Sequence, residues 1–180
     1  TPGSNTMNGA GAWWDTTQNV TAEWNNAWGN REGWTGNDGT GLDADRNTVN
    51  SVIQNNYLHD NANYGVSVIS AQNKASATIR NNVIVGNGRT FGSAPEIMVS
   101  SYDDGSGIPG QVSGLWIYGN TIFRANNEGN GAGIRLQAPF TTDTKVGIVN
   151  NIIRVNGAPY SFDANGNQAV GRPGLSLIHI

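Results

Sequence analysis

Asp43 and Asp45 stand two residues apart in the segment Asp38-Gly39-Thr40-Gly41-Leu42-Asp43-Ala44-Asp45. On an extended strand such residues share a face, with their Cβ atoms about 6.6 Å apart. Asp15 holds the matching place in an earlier copy of the strand, so parallel stacking would set it about 4.8 Å from Asp45. Carboxylates this crowded share a proton, which raises one pKa, or bind a cation. A pair sharing a proton can act as general acid beside a nucleophile or base, the arrangement of glycoside hydrolysis. A Ca2+ ion held by Asp38, Asp43 and Asp45 would instead neutralise a uronate, so that a base could remove its C5 proton. Arg46, Lys74, His59 and Tyr57 are the residues near enough in sequence to be that base. Plainer readings stay open: outward Asp residues that only solvate the face, Asp38-Gly39 as a turn, and His59 as a turn residue bonded to backbone.

Five of the six tryptophans (Trp13, Trp14, Trp24, Trp28 and Trp34) fall within the first 34 residues. Alternation puts Trp13 outward, on the column that continues through Asp43, Ser67, Met98 and Arg135. An exposed indole next to carboxylates suits the flat C–H face of a pyranose. Trp13, Asp15, Ser67 and Arg135 are therefore the candidate substrate contacts, with Trp34 a weaker one. Arg135 lies three rungs from Asp43, about 14 Å, so the two would meet neighbouring sugars and not one atom. Trp24 and Trp28 occupy turn positions and are expected to pack. The alternative role for these rings is to cap the first units. Asp103 and Asp104 fall in a polar insertion that reads as a solvated loop.

The elements that must position these residues follow from composition and repetition. The 180 residues include 25 Gly and, by count, 26 Asn, while only 13% are charged and Lys occurs twice. A coiled coil or a charged disordered tail is excluded. The net charge of −3 and pI near 5.2 offer no footprint for nucleic acid. No apolar run approaches the roughly 18 residues of a membrane span, and there is no cysteine.

The asparagines recur in phase. Anchors at Asn25, Asn56, Asn82, Asn120 and Asn151 are spaced 31, 26, 38 and 31 residues apart. Each is followed two residues later by an apolar side chain: Ala27, Leu58, Ile84, Ile122 or Ile153. A second Asn comes five residues after the anchor at Asn30, Asn61, Asn87 and Asn156, and one residue late at Asn126. A separate alternating strand, opened by Gly11, Gly41, Gly65, Glu96 or Gly133, turns Leu42/Ala44, Val66/Val68, Ile97/Val99 and Ile134/Leu136 inward. A weaker sixth copy adds Tyr160/Phe162. Units that bury their apolar side only against copies above and below describe a β-solenoid. One Asn per unit would form an amide ladder along its axis, and Asn tolerates the αL bend. A β-sandwich has no reason to repeat Asn at one phase.

The acidic strand, followed by Gln54-Asn55-Asn56-Tyr57-Leu58-His59-Asp60-Asn61, resembles the repeats of exported bacterial proteins in the pectate-lyase-like superfamily. The resemblance covers roughly residues 11–165. It implies an all-β, right-handed parallel β-helix of about six coils, secreted or at the cell surface. It also implies a polysaccharide partner, bound or cleaved by hydrolysis or elimination, with Ca2+ as a candidate cofactor. The Gly-His-Gly and Arg-Ile-Lys motifs of polygalacturonases and the Trp-Ile-Asp-His motif of pectate lyases are absent. The expectations are therefore a cleaving enzyme using Asp43 and Asp45, or a non-catalytic binding or adhesion module, in either case monomeric and without nucleic-acid partners. Residues 1–10 read as a lead-in and 11–174 as an incomplete helix domain. Residues 175–180 read as the translation of a sequencing-library adapter or, alternatively, as an ordinary last strand in which Leu175 and Leu177 alternate.

Overall fold

The structure is a computed structural model that describes residues 9–31, 38–71, 74–90, 92–101, 105, 110–125, 129, 131–138, 140–162 and 176–179. The described chain is all-β. Among these residues no helix is long and apolar enough to cross a membrane.

Strands recur in threes. β1 (Ala12–Asp15), β2 (Thr21–Glu23) and β3 (Asn26–Trp28) are followed by β4 (Leu42–Asp45), β5 (Ser51–Gln54) and β6 (Tyr57–His59). Next come β7 (Val66–Ser70), β8 (Lys74–Arg80) and β9 (Val83–Val85), then β10 (Ile97–Ser101), β11 (Gln111–Tyr118) and β12 (Thr121–Phe123). β13 (Ile134–Leu136), β14 (Phe140–Arg154), β15 (Tyr160–Phe162) and β16 (Ser176–His179) complete the order. The opening strands form one sheet, β1-β4-β7-β10-β13-β15, and the other strands a second, joined where the long β14 runs through both of its columns. Every pairing is parallel. Parallel neighbours from successive units are what a solenoid requires, and the fold is compatible with one.

The inward column is the core. Leu42, Ala44, Val66, Val68, Ile97, Val99, Ile134 and Leu136 are buried in one cluster with Leu58, Ile84 and Ile122 from beyond the anchors. Trp14 packs against it, while Trp13 stays 55% exposed. The period-two reading of sidedness therefore holds from the first unit.

The anchor asparagines form the expected ladder. Asn25 Nδ2 donates to Asn56 Oδ1, Asn56 to Asn82, Asn82 to Asn120 and Asn120 to Asn151, each at 2.9 Å. The αL conformation belongs to a neighbour and not to the anchor itself. Trp24, Asn55, Asn81 and Asn150 have φ of 54 to 59° and Gly119 has 66°. The bend is made by the preceding residue, which frees the anchor to aim its amide along the axis.

The second ladder runs from Asn30 through Asn61 to Asn87 at 2.7 Å per step. It then changes chemistry. Asn87 Nδ2 donates to Glu96 Oε2 at 2.6 Å, and Arg124 Nε donates to Glu96 Oε1 at 2.9 Å. Both charged side chains are fully buried. At Gly11, Gly41 and Gly65 a side chain has no room: a Cβ would sit 2.6 Å from the next unit's backbone carbonyl at Gly11 and Gly41, would collide with Ile84 Cγ2 at Gly65, and in each case would lie 2.9 to 3.0 Å from the Nδ2 of Asn30, Asn61 or Asn87. At this rung Glu96 supplies the acceptor and Arg124 balances its charge; Asn126, the late second Asn, lies outside the described residues. Burial raises the Glu96 pKa, against the lowering effect of Arg124 and Asn87.

Candidate functional site

The acidic residues come together at the first two units. β1 and β4 are in parallel register, Trp13 beside Asp43 and Asp15 beside Asp45. Trp13 Nε1 donates to Asp45 Oδ2 at 3.1 Å. The Arg46 backbone N–H donates to Asp45 Oδ1 at 2.8 Å, and its guanidinium pairs with Asp15 Oδ2 and lies 3.8 Å from Asp45 Oδ2. Thr16 Oγ1 donates to Asp15 Oδ1 at 2.6 Å. The crowding of Asp15 and Asp45 is thus relieved by a cation from the chain itself. Arg46, read from sequence only as a possible base, is the counter-ion of the pair.

A cleft of about 610 Å3 opens here, lined by residues 10–12, Trp13, Asp38, Asp45 and Arg46. Its indole wall, two carboxyl groups and a guanidinium could stack a sugar ring and accept or donate hydrogen bonds to its hydroxyls. Burial, followed by the charge of Asp45, raises the Asp38 pKa.

Asp43 is the unusual member. It points away from the core, alternating with Leu42 and Ala44, yet it is only 3% exposed and does not line the cleft. Ser67, its register partner on β7, is buried too and donates its hydroxyl to Asp43 Oδ1. Burial pushes the Asp43 pKa up to about 7, opposed by the Ser67 hydrogen bond and reinforced by the charges of Asp45, Asp38 and Asp15. Asp43 and Asp45 therefore differ in setting: one is enclosed and titrates near neutrality, the other stands at the cleft wall in contact with an indole and a guanidinium.

The remaining candidates are dispersed. Ser67 serves Asp43 and is not open to a ligand. Arg135 is partly buried, and its Nη2 donates to the Ser93 carbonyl at 3.1 Å. Tyr64, which sequence reading passed over, lies within electrostatic reach of Asp43, Asp38 and Arg135; its pKa is raised, chiefly by burial. Among the described residues, no three or more His, Asp or Glu side chains gather into a metal-binding group. Of the three residues considered for Ca2+, Asp38 and Asp45 line the cleft and Asp43 does not.

His59 belongs to the other sheet, on β6. Its Nδ1 lies 2.6 Å from Asp60 Oδ2 and its Nε2 lies 3.2 Å from Asn26 Oδ1, so its partners are side chains and not backbone. The ring stacks between Tyr57 (4.2 Å) and Trp28 (6.1 Å). Lys74 is on β8 of that same sheet. Of the four bases considered, only Arg46 reaches the acids. Trp24, 77% exposed, does not pack as expected, while Trp28, 63% exposed, stacks with the His59 ring. Trp34, Asp103 and Asp104 lie outside the described residues.

No protein family, curated protein or solved structure matches this chain.

Proposed function

We propose that this chain is a right-handed parallel β-helix of about six coils, of the pectate-lyase-like kind. In this reading it is exported to the cell surface or medium and binds a polysaccharide in the cleft of the first two units. The observation that carries the reading is the meeting of Trp13, Asp45, Asp38 and Arg46 around one opening. The indole supplies the stacking face, the carboxylates accept from sugar hydroxyls, and Arg46 donates. Native gel retardation on a panel of soluble glycans tests it. Trp13→Ala and Asp45→Asn should each weaken binding about tenfold or more. Equal retardation of both variants and the parent would refute the assignment.

Cleavage is the second reading, favoured by two carboxyl groups on one cleft, Asp38 and Asp45, with the Asp38 pKa raised by burial and by the charge of Asp45. A carboxyl that holds its proton more strongly beside a second carboxylate at the cleft is the division of labour used to protonate a leaving oxygen while a base acts. Reducing-end and unsaturated-product assays decide it. Product from the parent but not from Asp38→Asn supports cleavage, and binding without product throughout leaves the chain a binding module.

A further inference from the structure

We infer that the chain carries a second glycan-binding surface, on the sheet that does not hold the acidic cleft, and that this surface takes a neutral polysaccharide. The decisive contact is Trp116 against Gly147. The two are register partners on β11 and β14. A Cβ added at Gly147 would fall on the six-membered ring of Trp116. The indole therefore lies over β14 instead of standing off the sheet, and a side chain at position 147 would evict it. Trp116 nevertheless remains 43% exposed. A ring with one face laid on a sheet and part of its surface open to water is a ready stacking platform.

The surroundings supply the rest of a binding site. A groove of about 480 Å3 crosses β5, β8 and β11 beside the indole. Ser76, Thr78 and Ser113 place hydroxyls along it, Asn50 adds an amide, and no charged side chain is among its lining residues. The side chains in register with Trp116 across the groove, Thr78 and Val52, are short, which keeps the floor flat. Hydroxyl and amide groups exchange hydrogen bonds with sugar hydroxyls, and the indole covers a pyranose C–H face. An anionic sugar would find no counter-charge in this groove, which is why a neutral chain is the ligand class that fits. The inference does not depend on the acidic cleft, because the two surfaces share no residue.

The test is native gel retardation of the full chain in soluble galactomannan, xylan and mixed-linkage glucan, with polygalacturonate as the charged control. The parent and a Trp13→Ala/Asp45→Asn variant, which disables the cleft alone, are compared. The double variant should still be retarded by at least one neutral glycan and not by polygalacturonate. Adding Trp116→Ala, or Gly147→Val to displace the ring, should weaken that retardation about tenfold. Thr78→Val, which keeps shape and removes a hydroxyl, should weaken it several-fold in a chain with an unchanged thermal midpoint. Loss of all retardation in Trp13→Ala/Asp45→Asn overturns the second surface while sustaining the cleft. Retention of full binding in Trp116→Ala and Thr78→Val also overturns it, as does failure of the parent to bind any of the three neutral glycans.

Discussion

Replacing Asp43 by Asn removes a charge that the folded chain holds only at a cost. The carboxyl has an ordinary pKa of 3.8 and one of about 7 when folded. Between these values the folded chain keeps a proton that the unfolded chain has released. The stability contributed by this group is therefore present in full below pH 4 and lost as the pH rises through about 7. At about 1.4 kcal/mol per pH unit, the interval corresponds to roughly 4 kcal/mol. Asn is isosteric, cannot ionise, and keeps an oxygen for the Ser67 hydroxyl. Asp43→Asn should match the parent within about 1 kcal/mol at pH 4.5 and exceed it by roughly 2–4 kcal/mol at pH 8. Urea unfolding of both proteins across this range measures the difference, and the subtraction cancels titrating groups that do not interact with Asp43, Glu96 among them. An Asp43→Asn chain less stable than the parent at pH 8 would show that the carboxylate is charged and held by a partner. Loss of the pH slope on adding millimolar Ca2+ would identify that partner as a cation and refute the reasoning in the same way.

Asn82→Ala interrupts the anchor ladder: the Asn56 backbone N–H and Ile53 O lose their Asn82 partner, Asn56 Nδ2 keeps only Ala22 O, and Asn120 Oδ1 keeps only the backbone N–H of residue 82; urea unfolding should show a loss of roughly 2–4 kcal/mol. Glu96→Gln strands the buried Arg124 guanidinium and should cost about 3–5 kcal/mol. Adding Arg124→Met should recover part of that loss in the same measurement. Gly41→Ala drives a Cβ toward the Gly65 carbonyl and Asn61 Nδ2 and should lower stability by about 2 kcal/mol. Thermal unfolding that matches the parent would show that the strand opening has room to spare.

The features behind these tests were visible in the sequence to different degrees. The ladder was legible because each rung repeats one residue type at one phase. The Glu96–Arg124 substitution left two separate traces: an acid where Gly otherwise opens the strand, and a second Asn that comes one residue late. Nothing in one dimension joins them, because the gap that Glu96 fills exists only once Asn87 stacks beneath it. Gly147 and Trp116 have the same character. Their numbers are 31 apart, and only register makes one the floor for the other.

What the sequence determined by itself is therefore the periodic part: which side chains face the core, where the chain bends, and which asparagines align along the stack. Those properties follow from local alternation and from repetition, both of which are written linearly. Tertiary structure alone decided the state of the acids. Asp15, Asp43 and Asp45 all read as outward residues on equivalent strands, yet Asp15 and Asp45 share the Arg46 guanidinium while Asp43 is enclosed with Ser67, its pKa pushed up to about 7. The desolvation and field at a carboxyl depend on everything packed around it in space, and alternation along a strand reports only the side it faces.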